Sequence, residues 1–366
     1  MDPTSQRLLA GSAFKPVDRD TQVVVASFAI TTIGGGTRFG AYQWTNSGGF
    51  GTKYADAATA LSVAPASMQP TTANDAVVFV TTASPFLYAY EFDFDTGWGA
   101  VESPSTIPNG TGPDSLLRHP EADEFIMNTS TEYYITKYNT SSNFTFVESG
   151  LVPQTNCTSL GMIPSGNVVA FGASISPRLT AKEYTLGSGL GVSYSDPAVD
   201  LVDQVNRISW SPDSSFISVT HRDSPFFSTY DWSNGFGTKY NPTAPAGTTQ
   251  QCYGSIATNS AVIHGYHSSP FIFAYPFTAG SGYGAAFSNP SVLPANDVRG
   301  LCFNQDYSVL FVGAQTSTTA ETLTAYEWSD STGFGTKYAN PSPVVSGTVA
   351  NLTVINGKES RRGFGL

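Results

Sequence analysis

The chain has little charge and almost no cysteine. Charged residues make up 12% of its 366 residues, and 17 Lys plus Arg stand against 28 Asp plus Glu. The few basic residues are scattered, whereas a nucleic-acid groove needs clustered positive charge, so nucleic acid is excluded as a partner. The cysteines Cys157, Cys252 and Cys302 form no CxxC pair, which argues against a zinc or redox motif. We expect buried free thiols that pack as small apolar residues.

Targeting, membrane and catalytic motifs are also missing. The first residues show no charged region followed by an apolar one, so no secretory signal is expected. No run approaches the ~20 apolar residues of a membrane span, so no membrane insertion is expected. There is no nucleophile elbow, P-loop or metalloprotease helix. EFDFDTGWG at 91–99 is similar to a calcium loop, but Pro104 occupies the position of the required Glu, so we expect no metal and no cofactor.

What the chain contains instead is a repeat. Tyrosines recur at intervals of 45 to 51 residues in similar contexts, at Tyr42, Tyr90, Tyr138, Tyr184, Tyr230, Tyr275 and Tyr326. A glycine-aromatic phrase follows most of them, for example GFGTKY at 235–240 and 333–338. A fixed period in the forties, rich in strand formers and turn residues, is typical of a radial or stacked repeat.

Repeat 5, residues 205–247, divides into four strands. VNRISWS, FISVTH, FFSTYDW and GFGTKY are separated by the turn residues PDSS, RDSP and SNG. Many strands are apolar on both faces, as in FIFAYPF, which a sheet packed between two neighbouring sheets requires. The sequence therefore predicts an all-β fold, a seven-bladed β-propeller of four-stranded antiparallel blades. A linear β-solenoid is the alternative, although its turns are usually shorter.

We predict a single propeller domain over 1–366. The blades are expected at about 10–57, 58–113, 114–155, 156–204, 205–250, 251–297 and 298–348, with the closing strand and tail at 349–366. Blade 3 is the most divergent, because NFTFVES replaces its glycine phrase. Both GSAFKPV near the start and VANLTVIN at 349–356 could serve as a first strand. We expect VANLTVIN to pair near the N-terminal blade and close the ring without an exposed edge.

The repeat, with SPD after strand one and YDW or YEW ending strand three, resembles WD40-like propellers, although their Gly-His dipeptide is missing. It is more similar to the WD40-like propeller proteins of marine tailed bacteriophages, whose copies carry SPxxxxYxWxxxxGFGTKYxNP. The matching residues are Ser224, Pro225, Tyr230, Trp232 and 235–242, and again Tyr326, Trp328 and 333–341. The resemblance implies a virion or virus-encoded interaction protein and carries over no catalytic residue.

We therefore expect a non-enzymatic structural protein of a phage virion, assembled in the host cytoplasm, that mediates protein–protein assembly or host contact. Its partners would be other virion proteins and a host-surface glycan or receptor. A carbohydrate-binding propeller is the alternative, and it would need several blades to repeat one exposed polar-aromatic pocket. The recurring Tyr and Trp are instead expected to fill the wedges between blades, since aromatics bury about 150–250 Å² each. A glycosidase would need paired carboxylates facing a central funnel.

Interaction residues are expected where the copies depart from the repeat. The loops between strands two and three are longest at 31–38 and 315–322, in blades that should be neighbours across the seam. The equivalent loops of blades 5 and 6 carry His and Asp, either as an acid–base pair or as a solvated rim. The tail carries a basic pair. The candidates are Thr31, Arg38, His221, Arg222, Asp223, His267, Thr316, Thr318, Arg361 and Arg362.

Overall fold

A computed structural model describes residues 22–28, 38–104, 112–242, 251–315, 322–345 and 348–356. The regular elements in these ranges are 28 strands arranged as seven antiparallel sheets of four. The predicted fold class, a seven-bladed all-β propeller, is confirmed. The same ranges contain no helix with the length and hydropathy needed to span a membrane.

Each sheet is one blade. Blades 1 to 3 contain β1 (Gln22–Phe28), β2 (Phe39–Thr45), β3 (Gly49–Lys53), β4 (Pro65–Pro70), β5 (Ala76–Thr81), β6 (Leu87–Asp93), β7 (Gly97–Glu102), β8 (Ser115–Arg118), β9 (Glu124–Asn128), β10 (Glu132–Asn139) and β11 (Asn143–Leu151). Blades 4 and 5 contain β12 (Cys157–Met162), β13 (Val168–Ala173), β14 (Leu179–Thr185), β15 (Gly189–Ser193), β16 (Val205–Trp210), β17 (Phe216–His221), β18 (Phe227–Trp232) and β19 (Phe236–Tyr240). Blades 6 and 7 contain β20 (Cys252–Ala257), β21 (Ala261–Tyr266), β22 (Ile272–Thr278), β23 (Gly282–Tyr283), β24 (Val298–Phe303), β25 (Val309–Ala314), β26 (Leu323–Ser329) and β27 (Gly333–Lys337), and the last strand is β28 (Val349–Asn356).

Blade 1 is assembled from both ends of the described chain. Its strand order is β28-β1-β2-β3, so the last strand is the innermost strand of the first blade. The β1–β28 register runs from the pair Gln22 and Asn356 to the pair Phe28 and Val349. The predicted closure by VANLTVIN is confirmed, and the pairing removes the free edge that β1 would otherwise present. GSAFKPV lies outside the described residues.

The recurring tyrosines are core residues, as expected. All seven are buried, with at most 5% of their surface exposed. Three of their hydroxyls donate to a backbone carbonyl in the connector that leads into their own blade: Tyr90 to Thr59 (3.1 Å), Tyr230 to Val199 (2.9 Å) and Tyr326 to Val292 (2.8 Å). The period therefore places one anchor for a blade-to-blade connector in each of these blades, and a buried hydroxyl needs such a partner.

The glycine phrase has two structural causes. Gly97 and Gly282 begin fourth strands with φ of +85° and +90°, a left-handed conformation that side chains disfavour. A Cβ on Gly97 would lie 3.0 Å from Tyr54, and one on Gly282 would lie 2.6 Å from Tyr240. Both tyrosines end the GFGTKY phrase of the preceding blade. The phrase thus joins neighbouring blades at the rim, with the tyrosine of one blade packing against the glycine of the next.

Blade 6 departs from the prediction at its outer edge. Each blade was predicted to have four strands, but the fourth strand of blade 6, β23, spans only Gly282–Tyr283. In blade 7 the Glu327 carboxylate accepts a hydrogen bond from the Thr336 amide of the fourth strand at 3.0 Å. Pro276 occupies the corresponding position of blade 6 and has no side-chain acceptor. The outer strand therefore lacks this support and ends early.

Candidate functional site

The loops between strands two and three and the blade connectors meet on one face of the ring. The residue that follows the second strand is here named the trailing position, and the residue that precedes the first strand the leading position. The trailing positions of blades 5 and 6 are Arg222 and His267, because His221 pairs with Val205 in the same way that Tyr266 pairs with Cys252. The leading positions of blades 6 and 7 are Gln251 and Asp297. Each of these two junctions brings the trailing residue of one blade near the leading residue of the next.

An open cleft of about 530 Å³ lies on this face, next to blades 5 and 6. Most of its lining is polar or charged, and the lining residues are Asp203, Arg222, Asp223, Ser224, Phe226, Gln251, Tyr253 and His267. The structure therefore brings together three of the predicted surface residues, Arg222, Asp223 and His267. Two carboxylates, one guanidinium and one imidazole line the cleft, so the lining is not dominated by positive charge.

His267 forms an ion-pair-type contact with Asp297 of blade 7. Its Nδ1 lies 2.6 Å from Asp297 Oδ2. The imidazole is 43% exposed, whereas the carboxylate is only 4% exposed. A carboxylate that accepts the Nδ1 hydrogen fixes the tautomer in which Nε2 carries the free lone pair. The exposed ring is therefore held in the form that can accept a proton.

Arg299 supports this pair from the inner strand β24. Its Nη2 lies 3.6 Å from Asp297 Oδ2, and its guanidinium lies 4.5 Å from the ring centroid of Tyr253. The guanidinium charge attracts the Asp297 carboxylate, and the aromatic face of Tyr253 orients the guanidinium by a cation–π contact. Tyr253 also lines the cleft, so one chain of contacts links the cleft wall to the buried carboxylate.

The prediction that His221 lies on the polar rim is wrong. It is the last residue of β17, and none of its surface is exposed. Its Nδ1 lies 2.8 Å from the carbonyl oxygen of Asp223, and its Nε2 lies 3.0 Å from the Ser228 hydroxyl. Burial lowers the pKa of His221 to about 4. The imidazole is therefore a neutral core group at neutral pH, because every residue of β17 is buried.

A second buried histidine lies beside it. His264 in β21 packs its ring 4.0 Å from the ring of Phe227. Within the described residues neither of its ring nitrogens has a hydrogen-bond partner. Burial, and then the charge of His221, lower the pKa of His264 to about 3. Both histidines are thus held neutral, away from the cleft.

Arg38 is the one remaining predicted surface residue that lies within the described ranges. Arg38 donates a hydrogen bond to the carbonyl of Ser62 at 3.3 Å. Thr31, Thr316, Thr318, Arg361 and Arg362 lie outside the described residues. Blades 1 and 7 are neighbours, as expected, since the Trp44 ring packs 4.7 Å from Phe311 and 4.9 Å from Tyr338.

The cysteines are not candidates for a nucleophile. Cys157 and Cys252 are buried and Cys302 is partly buried, and all three are free thiols, as predicted. Burial raises the pKa of Cys157 and of Cys302 to about 12, and the pKa of Cys252 also lies well above its ordinary value. A protonated thiol is a poor nucleophile, so these residues act in packing.

Three important residues were not predicted from the sequence: Asp297, Arg299 and Tyr253. Asp297 has a detectable signal, since the leading position is Gln in blades 5 and 6, at Gln204 and Gln251. Arg299 is a charged residue inside a first strand that is otherwise apolar, VRGLCF. The contact between His267 and Asp297 joins residues 30 positions apart in different blades, which the repeat frame alone does not specify.

No protein-family model matches the chain, and no curated protein matches it by sequence. The fold is similar to solved structures. A candidate 6-phosphogluconolactonase from Bacteroides uniformis has a TM-score of 0.69 at 10% identity, covering 92% of this chain and 100% of its own. A candidate 6-phosphogluconolactonase from Bacteroides fragilis has a TM-score of 0.66 at 9% identity, covering 92% of this chain and 98% of its own. The periplasmic gluconolactonase of Pseudomonas aeruginosa has a TM-score of 0.67 at 10% identity, covering 92% of this chain and 99% of its own.

These similarities correct one expectation. The sequence predicts a non-enzymatic protein, but the propellers that share its fold over nearly the whole chain include proteins named as lactonases, which are hydrolases. At about 10% identity the likeness establishes the fold alone. The propeller architecture therefore gives no ground for excluding an enzyme, and any reaction must be argued from the cleft.

Proposed function

We propose that the cleft next to blades 5 and 6 binds a small uncharged polyhydroxy ester or lactone and hydrolyses it. The observation that carries this proposal is the contact of 2.6 Å between His267 Nδ1 and the buried Asp297 carboxylate, beside an open cleft of about 530 Å³. An exposed imidazole oriented by a buried carboxylate is the arrangement that general-base catalysis uses. The names of proteins with a similar fold support the choice of lactones as test substrates.

In the proposed reaction His267 activates water. Nε2 accepts a proton from the water as the water oxygen forms a bond to the acyl carbon, and Asp297 stabilises the resulting imidazolium. The Arg222 guanidinium donates to the oxygen that becomes negative. The bond between the acyl carbon and the ester oxygen then breaks, and the proton on Nε2 passes to the departing oxygen. The hydroxy acid formed releases its proton to solvent.

The lining indicates an uncharged substrate. Asp203 and Asp223 lie in the cleft wall with Gln251, and their oxygens can accept hydrogen bonds from several substrate hydroxyls. A phosphorylated substrate would bring a dianion against two carboxylates, which Coulomb repulsion disfavours. We therefore expect glucono-δ-lactone to be a better substrate than its 6-phosphate.

The test is hydrolysis followed by proton release, with the spontaneous rate subtracted. His267→Gln and Asp297→Asn should each lower kcat/KM by about 10²–10⁴-fold, which is the usual contribution of a general base. Ser174→Ala changes the trailing position of blade 4 and should leave the rate unchanged. No hydrolysis above the spontaneous rate, or equal rates in the wild type and both cleft variants, would contradict the proposal.

We also propose, from the resemblance of the repeat, that the protein is a component of a phage virion with other virion proteins as its partners. A supporting observation is that blades 1, 5 and 7 present the same exposed Gly-Thr pair on their outer strands: Gly51 and Thr52, Gly237 and Thr238, Gly335 and Thr336. Repeated surface groups on one rim suit contacts with an assembly. Mass spectrometry of gradient-purified particles should detect the chain at a fixed copy number, and its absence from them would reject this proposal.

A further inference from the structure

The innermost strands surround a second cavity, on the axis of the ring. It has a volume of about 170 Å³, which is roughly that of five or six water molecules. Its wall includes Arg207 of β16, Arg299 of β24, Ser115 of β8 and Asn351 of β28. Strands from four different blades therefore contribute polar side chains to one space, which is separate from the cleft of His267.

The charge of this cavity is positive. Two arginines line it, and none of its described lining residues is Asp or Glu. Arg299 has Asp297 3.6 Å away, but within the described part of the chain Arg207 has no ion-pair partner. Burial lowers the pKa of Arg207, and the positive charge of Arg299 lowers it further. Two guanidinium groups thus face one cavity whose described lining holds no carboxylate, an arrangement that an anion would stabilise.

Unused hydrogen-bond donors line the same cavity. The Nε of Arg299 and the hydroxyl of Ser115 are buried, and neither has a hydrogen-bond partner among the described residues. Ser115 is only 6% exposed. Arg207 uses Nη2 to donate to Asn351 Oδ1 at 3.2 Å, which leaves the rest of its planar fork available. A buried donor without a partner is costly, so this cavity is suited to a ligand with several acceptor oxygens.

We propose that the axial cavity is a binding site for a small oxyanion, with Arg207 and Arg299 as its principal ligands. Phosphate and sulfate have the charge and the oxygen geometry that guanidinium groups bind in a bidentate manner. A bound oxyanion separates the two positive charges and accepts hydrogen bonds from Arg299 Nε and Ser115. Because Arg207 bonds to Asn351 on the closing strand, the anion also links blade 5 to the seam of the ring. This site does not depend on the hydrolysis proposed for the cleft.

The test is thermal unfolding in phosphate, in sulfate and in chloride at constant ionic strength and about pH 8, where phosphate is a dianion. The wild-type protein should show a saturable rise in Tm with phosphate and with sulfate, and no such rise with chloride. Arg207→Gln should weaken the apparent affinity at least about tenfold, since it removes one charge-assisted ligand. Lys182→Gln removes the same formal charge on β14, away from the axis, and should keep the full response. An equal response in Arg207→Gln and the wild type, or no saturable response at all, would overturn the proposal.

Two further results distinguish an anion on the axis from an anion in the cleft. His267→Gln changes the cleft and should keep the full anion response, whereas loss of the response in this variant would assign the anion to the cleft and overturn the axial site. Wild-type crystals soaked in selenate should show an anomalous peak within hydrogen-bond distance of Arg207. This measurement needs no variant, so it remains decisive even if Arg207→Gln does not fold, and the absence of a peak there would overturn the proposal.

Discussion

The junction between blades 5 and 6 and the junction between blades 6 and 7 have the same backbone and different chemistry. At the first, the trailing and leading residues are Arg222 and Gln251, and at the second they are His267 and Asp297. Within each of blades 6 and 7 a backbone hydrogen bond ties the residue after the second strand to the leading residue of the same blade, the His267 amide to the Gln251 carbonyl at 3.2 Å and the Gln315 amide to the Asp297 carbonyl at 2.7 Å. The repeat therefore supplies geometry at each junction, and two substitutions supply an acid–base pair at only one of these two.

The residues just inside these positions differ as well. The last residue of the second strand is His221 in blade 5 and Tyr266 in blade 6, and both are fully buried. The histidine near the first junction is thus a neutral core group, whereas the histidine of the second is exposed and paired. His221 is the last residue of its strand and is buried, whereas His267 is the first residue after its strand and can reach a ligand. A difference of one position at the end of the second strand therefore decides whether the imidazole is accessible.

The largest expected effect comes from converting one junction into the other. His267→Arg combined with Asp297→Gln gives the junction of blades 6 and 7 the residue types found between blades 5 and 6. Hydrolysis of glucono-δ-lactone should fall by about 10²–10⁴-fold, because no side chain remains to accept the proton from water. Far-ultraviolet circular dichroism and Tm serve as the folding control. A folded double variant with undiminished kcat/KM would show that the pair does not distinguish the junctions.

A smaller effect concerns acid stability on the side of blades 5 and 6. The pKa values of His221 and His264 are about 4 and about 3 in the folded protein, against 6.5 when unfolded, so the unfolded chain binds more protons below pH 6.5. The stability that comes from the neutral histidines is fully present above pH 6.5 and is lost as the pH falls towards the folded-state values. His264→Phe should reduce the loss between about pH 8 and pH 5 by about 2 kcal/mol.

Phenylalanine is a matched replacement at this position. Blades 2 and 4 carry Phe79 and Phe171 at the equivalent place on their second strands. Urea unfolding of the wild type and the variant at both pH values gives the required free energies. If the variant loses as much stability as the wild type on acidification, His264 does not titrate as described.

The smallest effect concerns the connectors. Tyr326→Phe removes the hydroxyl that holds the Val292 carbonyl, in the connector that carries Asp297, and Tyr90→Phe removes the equivalent bond to Thr59 near blade 2. Each variant should lose about 1 kcal/mol of unfolding free energy, the usual value for one hydrogen bond. Only Tyr326→Phe should also lower kcat/KM, by a few-fold. Equal catalytic effects of the two variants would show that the connector does not position Asp297.

The architecture could be predicted because the repeat is dense with local signals. The period of the tyrosines, the turn residues and the doubly apolar strands each follow from the packing of a sheet between two sheets. The closing strand was also predictable, since VANLTVIN fits the pattern of a first strand. The short β23 was not predicted, because its length depends on a hydrogen bond that is missing. Glu327 supplies a side-chain acceptor to the fourth strand of blade 7, and Pro276 at the equivalent position of blade 6 has none.

The candidate site was only partly predictable. Arg222, Asp223 and His267 were recognised as polar departures in loops of known position, and they do line one cleft. Asp297 was missed, since its partner belongs to another blade and the distance between them depends on how blades are rotated about the axis. His221 was wrongly assigned to the exposed loop, although it is the last residue of FISVTH, a second strand that is buried along its whole length.

The seam in blade 1 also determines how the ring responds to force. Gln22 and Asn356 are paired with each other at the same end of the β1–β28 ladder. Tension applied at Gln22 and Asn356 therefore breaks the hydrogen bonds of this ladder one after another, in an unzipping geometry, rather than all together in a shear geometry. Pulling experiments should thus show an early, low-force extension in which β28 leaves β1, while blades 2 to 7 keep all four of their strands.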